Sequence, residues 1–308
     1  MQLGFVGTGT MGAPMAGCLI EAGHHLTVYD LRPEAAAALC ARGARPADSP
    51  SAVARQSEVV FTSLPGPREV EFAALEPSTG ILAGFHAGCA YIDMTTNAPA
   101  MARRLAEACR ARGIDMLDAP VSGRRPTMTV MVGGDEPVFA RYRSLFAAMA
   151  GNVFYAGGAG AGCIAKLVTQ YLGYTNFVAA LEGMLIGAKA GIDLSTLAKI
   201  VPLSAGASRT FDNIPRSVLT GSFSAGGTLD IVAKDLDLAC ELARAVGAPA
   251  HLGLLAHDVL ARAQAEGWGQ HGFPVAARIL EAMAGTELRA PVADVTSYQT
   301  ADPRRPRI

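Results

Sequence analysis

The chain has 308 residues, 50% of them hydrophobic and 17% charged, with 26 basic against 27 acidic side chains and a formal net charge of −1. That much apolar material fills a core, which excludes a disordered or fibrous protein, and the length suits about two domains. The absence of a basic excess argues against nucleic acid as a partner.

Met1 to Ile20 contains no charged residue, as a signal peptide or a membrane span would. No basic segment precedes the run, and Gly4, Gly7, Gly9, Gly12, Pro14 and Gly17 interrupt it. The expectation is a cytoplasmic protein with no membrane partner. Leu3 to Gly7 reads instead as a buried strand, followed by a glycine turn and a helix to about Ala22. His25 to Tyr29 is a second strand, and Pro33 to Arg42 is helical. Val59 to Leu64 is a strand ending in Pro65-Gly66-Pro67. Ala90 to Asp93 is the next strand, and Pro99 to Arg112 is a helix that stops at Gly113. Asp115 to Ala119 and Val130 to Val132 read as strands, Pro137 to Ala150 as a helix, and Val153 to Ala156 as a last strand. This alternation predicts an α/β fold with a Rossmann-like, doubly wound, mostly parallel sheet.

The texture changes after the glycine-rich run 157–162, which reads as a flexible joint. Only helical runs follow, over 163–190, 194–203, 209–219, 229–246, 250–265 and 274–284. The expected domains are a dinucleotide-binding domain over 1–160, an all-helical substrate and oligomerisation domain over 161–290, and a flexible tail over 291–308. The apolar stretch Tyr171 to Ala190 suits burial against a second copy, in a homodimer or homotetramer. It equally suits burial within the domain. The six cysteines are far apart and show no CxxC spacing, so reduced thiols and no metal site are expected.

Gly7-Thr8-Gly9-Thr10-Met11-Gly12 follows the first strand and opens the first helix. Gly7 permits the tight turn, Gly9 the approach of a pyrophosphate, and Gly12 close packing of helix on strand. Thr10 and Met11 lie at the helix N-terminus, whose unpaired N–H groups and dipole favour an anion. Asp30 stands 18 residues after Gly12, where a carboxylate holds the adenosine ribose hydroxyls. It repels a 2′-phosphate, so NAD is expected over NADP, although Arg32 could clamp such a phosphate. Lys166 opens the long helix after the glycine run. An amine there can exchange a proton with a substrate hydroxyl. Taken alone, a helix lysine reads more readily as a solvated surface residue.

Four segments resemble the β-hydroxyacid dehydrogenases, the family of 3-hydroxyisobutyrate dehydrogenase and tartronate semialdehyde reductase. They are GFVGTGTMGAPMA at 4–16, DAPVSG at 118–123, GAGAGCIAKLV at 158–168 and KDLDLA at 234–239. The resemblance implies Lys166 as general acid/base, and Ser122 and Gly123 as ligands of the carboxylate of a small anionic substrate. Gln170 takes the place of a family asparagine that contacts substrate. Lys234 falls near the nicotinamide end, Leu64 and Pro65 along the cofactor, and Thr96 near the nicotinamide ribose. The implied activity is hydride transfer between NAD(H) and the alcohol or aldehyde carbon of a small β-hydroxyacid or semialdehyde.

Three departures stand out. The loop after Gly123 lacks the family's third glycine and is about five residues short. It brings in Arg124 and Arg125, read as solvated loop charges in preference to substrate cations. The glycine-rich turn 267–272 lacks the family's usual acidic residue, and packing or surface roles suit its Trp268 and His271 better than the pocket. Two other readings stay open: a non-catalytic dinucleotide-binding sensor or interaction module, and a reductase of imines or other polarised double bonds.

Overall fold

The computed structural model describes residues 1–224 and 226–291. It divides into two compact units, Met1–Val168 and the chain from Thr169 onward. In the first unit, β1 (Gln2–Val6) leads into α1 (Gly12–Glu21), and β2 (His25–Tyr29) into a 3-10 turn, Pro33–Ala36, and the short α2 (Ala37–Cys40). Next come β3 (Arg45–Pro46), α3 (Pro50–Arg55), β4 (Val59–Thr62), α4 (Pro67–Leu75) and α5 (Ile81–Gly84). β5 (Ala90–Asp93), α6 (Pro99–Arg110), β6 (Asp115–Asp118), β7 (Val121–Ser122), β8 (Thr129–Gly134), α7 (Glu136–Met149) and β9 (Asn152–Gly157) complete it. α8 (Ala161–Lys189) begins in the first unit and runs into the second.

The strands form one sheet in the order β3-β2-β1-β4-β5-β6-β8-β7, with β9 paired to β8. β1 to β6 pair in parallel, and β8 runs antiparallel to β6 and β7. Side chains alternate between the faces. Leu3, Phe5, Val28, Phe61 and Ile92 join one core, while Val6, Val60 and Tyr91 join the other. Both faces are buried, in keeping with parallel strands that are hydrophobic almost throughout. The Phe5 and Phe61 rings stack with centroids 5.9 Å apart.

The second unit continues α8 and adds α9 (Leu194–Ile200), α10 (Leu229–Ala245), α11 (His251–Ala265) and α12 (Ala277–Ala284). Its core gathers Phe177, Leu181, Leu236, Leu260, Ala276 and Leu280. Asp193 caps α9 by accepting the Thr196 N–H at 2.7 Å. Among the described residues no helix is long and apolar enough to cross a membrane.

Three details differ from the sequence reading. The continuous helix expected over 209–219 is a 3-10 turn at Phe211–Asn213 and a π-helical turn at Pro215–Leu219. Pro215 has no N–H to continue an α-helical ladder. Helices α3, α4 and α5 were not anticipated: α3 and α5 are short and carry little periodicity, and α4 follows directly on the Pro65-Gly66-Pro67 turn. The glycine run 157–162, read as a flexible joint, is held at its second half, where Gly160 donates to Asp118 and Gly162 is closely packed, while Gly158 faces open space. A Cβ on Gly162 would strike the backbone carbonyls of Met131 and Asp118. The expected tail lies outside the described residues from 292 onward.

Candidate active site

The glycine turn leaves β1 at the carboxyl edge of the parallel sheet, where open α/β folds bind ligands. Gly7 has φ +90, and a Cβ there would strike the Ser63 carbonyl. A Cβ on Gly12 would strike the Gly7 carbonyl, so the helix can sit this close to the strand only with glycine. Gly9 faces open space. Met11, at the head of α1, makes no side-chain cap, and the first turn carries no acidic residue. The N–H groups there are thus presented to an anion without an acidic side chain in the helix's first turn. These features fit a dinucleotide pyrophosphate.

Asp30 directly follows β2 and is pinned to the same turn. Its Oδ2 accepts the Thr8 N–H at 2.8 Å and the Thr8 hydroxyl at 3.3 Å, and its Oδ1 accepts the Arg32 N–H at 2.9 Å. The carboxylate is therefore oriented by the backbone of the glycine turn. Arg32 is exposed and meets Asp30 through its backbone. Thr8 is buried and passed unnoticed in the sequence as a filler between glycines.

One register row crosses the sheet at this edge through Val6, Thr62, Asp93, Asp118 and Gly133. Asp93 is fully buried. It accepts hydrogen bonds from the Thr62 hydroxyl (2.8 Å), the Thr95 N–H (3.0 Å) and Asn97 Nδ2 (3.0 Å). Thr95 Oγ1 in turn accepts the Leu64 N–H at 3.0 Å. The loops bearing Leu64, Pro65 and Thr96 are thereby tied together through one buried carboxylate. Burial raises the Asp93 carboxyl above the ordinary range, against the pull of these donors.

Asp118, also fully buried, fixes the start of α8. Its Oδ1 accepts the Gly160 N–H at 2.7 Å and its Oδ2 the Cys163 N–H at 2.9 Å. Two of the N–H groups that a helix start leaves unpaired are thus satisfied by one side chain. Burial raises the Asp118 carboxyl, and burial beside that carboxylate pushes the Cys163 thiol well up. Lys166 lies one turn beyond Cys163 and is 6% exposed. A buried lysine needs compensation that a surface lysine does not, so the solvated reading of Lys166 is set aside.

Ser122 lies in β7, opposite Thr129 of β8, and is half-buried, while Gly123 turns the chain at φ +77. Arg125 reaches α1, where it donates to Glu21 Oε2 at 2.9 Å. Glu21 also binds Arg42. Glu21 ends α1, about 15 Å from the glycine turn at the opposite end of the helix. Arg125 is thus a surface ion-pair residue, as expected for a loop charge.

Gln170 follows Lys166 by four residues on α8. Its Nε2 donates to Asp235 Oδ2 and to the Tyr174 hydroxyl, both at 2.6 Å. Lys234 Nζ lies 2.8 Å from Asp235 Oδ1 in an ion pair without a well-directed hydrogen bond. Neither Tyr174 nor Asp235 was singled out in the sequence, since the polar contact to Asp235 spans 65 residues. Trp268 packs on the core of the second unit, under the Arg278 guanidinium.

A family described as the NAD binding domain of 6-phosphogluconate dehydrogenase matches residues 2–157. One described as NAD-binding of NADP-dependent 3-hydroxyisobutyrate dehydrogenase matches residues 160–280. The chain is 36% identical to a 3-hydroxyisobutyrate dehydrogenase of Pseudomonas aeruginosa, over 86% of this chain and 93% of the relative. It is 35% identical to a NAD-dependent L-serine dehydrogenase of the same organism, over 92% and 99%. The crystal structure of a 3-hydroxyisobutyrate dehydrogenase from Salmonella typhimurium superposes with a TM-score of 0.82. That pair is 31% identical and covers 91% of this chain and 99% of the other.

Proposed function

The chain belongs to the β-hydroxyacid dehydrogenase family, and from that premise we propose that Lys166 is its general acid/base. The protein is a nicotinamide-dinucleotide-dependent dehydrogenase that acts on the alcohol group of a small hydroxy acid. The observation that carries the role of Lys166 is its burial, 6% exposed, one turn from a helix start held by Asp118. When bound, the dinucleotide supplies the hydride acceptor or donor.

Lys166 Nζ takes the hydroxyl proton as the alcohol is oxidised, and returns it in the reverse direction. The Ser122 hydroxyl and the Gly123 N–H hold the substrate carboxylate, because a charge taken out of water requires hydrogen bonds. Gln170 contacts the substrate further along α8. The cofactor lies on Gly7, Gly9, Thr10, Met11 and Gly12, with its ribose at Asp30 and its remainder along Leu64, Pro65, Thr96 and Lys234. NAD is preferred over NADP, because the fixed Asp30 carboxylate repels a 2′-phosphate.

The dinucleotide-binding domain ends near residue 160, and α8 opens the helical domain. A homodimer or homotetramer is supported by exposed apolar side chains on α8 (Leu172, Ile186) and α11 (Leu252, Leu255). A cytoplasmic location suits six cysteines that are all unpaired.

The test is a screen of small 3-hydroxy acids by nicotinamide absorbance with NAD and with NADP. Turnover of at least one with NAD supports the proposal. Tight cofactor binding without turnover across the panel would point to a sensor.

A further inference from the structure

We infer that the substrate presents a hydrogen-bond donor, a hydroxyl or an ammonium group on C2, to the side-chain carbonyl of Gln170. A glutamine amide has two N–H donors and one carbonyl acceptor. The Gln170 nitrogen lies 2.6 Å from Asp235 Oδ2 and 2.6 Å from the Tyr174 hydroxyl. A carboxylate oxygen only accepts, so the amide nitrogen faces Asp235, and this fixes which way the amide points.

Both neighbours are themselves held. Asp235 is buried and paired with Lys234. The Tyr174 ring packs edge-on against Phe273, with centroids 6.0 Å apart at 64°. Burial, with Asp235 beside it, keeps the Tyr174 hydroxyl well above the ordinary tyrosine range, so it stays neutral and accepts from Gln170. Both Gln170 donors are therefore committed within the protein. The group it has left to offer is the carbonyl oxygen, which accepts.

The inference rests on the roles proposed above. With the carboxylate at Ser122 and Gly123 and the reacting hydroxyl at Lys166, the C2 substituent is the group left for Gln170. A C2 methyl group would leave that carbonyl without a partner once water is expelled. Sites built to hydrogen-bond a substrate group discriminate strongly against analogues that lack it. The predicted substrate class is thus a 3-hydroxy acid with a polar donor at C2.

The experiment compares kcat/KM for four 3-hydroxypropionates that carry hydrogen, methyl, hydroxyl or ammonium at C2. It uses the full-length enzyme with NAD. The expected result is that the hydroxyl or the ammonium compound exceeds the methyl compound by about tenfold or more. In Gln170→Leu the ratio of the hydroxyl or ammonium compound to the methyl compound should fall below about threefold, whatever the variant's overall rate. Tyr174→Phe, which frees one amide N–H, should give an intermediate ratio. Equal turnover of the methyl compound by the unaltered enzyme would overturn the inference, and so would a ratio that survives in Gln170→Leu. Lys166→Ala serves as the separate control. If it keeps its turnover, the general acid/base reading fails. If it is inactive while the C2 ratio is flat, the present inference alone fails.

Discussion

Asp118 Oδ2 accepts the backbone N–H of Cys163 at 2.9 Å, three residues before Lys166 on the same helix. The other oxygen of the same carboxylate takes the Gly160 N–H. One buried side chain from the end of β6 therefore sets where α8 begins, and with it the position of the lysine one turn later. Asp118→Asn places an amide NH2 against one of two backbone donors. Leaving a buried N–H unpaired costs about 1–3 kcal/mol. The variant should lose that much stability in denaturant titration, and its kcat should fall while its Kd for NAD changes little. A parallel loss of NAD binding would mean that Asp118 serves the whole domain and not α8 in particular.

Asp30 is held by Thr8 and by the Arg32 backbone, so its carboxylate is in place before any ligand arrives. Asp30→Ala should raise the Kd for NAD by about tenfold, roughly 1.4 kcal/mol. The same change should lower the Kd for NADP, because the repulsion is gone and the exposed Arg32 can face the phosphate. Fluorescence titration of both cofactors measures this. Unchanged cofactor preference would contradict the assignment.

Gly12→Ala tests the turn by shape alone. Its new methyl group would meet the Gly7 carbonyl, so helix and turn must move apart. Overpacking of this kind costs about 1–3 kcal/mol. Weaker NAD binding together with a lower Tm is expected. Gly9→Ala, which meets nothing in the protein, should keep its Tm and lose only cofactor affinity. Calorimetry of the two variants with and without NAD separates the cases.

A pH effect should arise at Glu76, the C-cap residue of α4. Hydrogen bonds from the Thr79 hydroxyl and N–H, with others from Ser78, lower the Glu76 carboxyl from 4.5 to about 2. A carboxyl depressed in the folded state stabilises the fold above its unfolded value. That contribution is present above about pH 4.5 and is lost as pH falls through about 2. Glu76→Gln should therefore melt below the parent at neutral pH, and the two Tm values should converge across that window. A constant gap between them would contradict the shift.

Much of the first unit was legible in the sequence because its signals are local. The turn at Gly7 to Gly12, the hydrophobic strands and the acid at the end of β2 each sit within a few residues of what they specify. The long helix that carries Lys166 was legible from its apolar run. The contacts that make these residues a site were not legible. Asp118 meets Cys163 across 45 residues and Gln170 meets Asp235 across 65, and outside the site the surface pair of Arg125 with Glu21 spans 104. No periodicity records such pairings. The glycine run at 157–162 misled for a related reason. Glycines that permit flexibility also permit close packing, and only the carbonyls of Met131 and Asp118 pressed against Gly162 reveal which applies.

The central claim is that Lys166 moves the substrate proton. Its most direct test is kcat for Lys166→Ala on the best 3-hydroxy acid, with the Kd for NAD and the Tm measured alongside. The account predicts a loss of about 10² to 10⁴ in kcat, the usual weight of a positioned acid/base, with NAD binding retained. A variant that folds, binds NAD and turns over near the parent rate would contradict it.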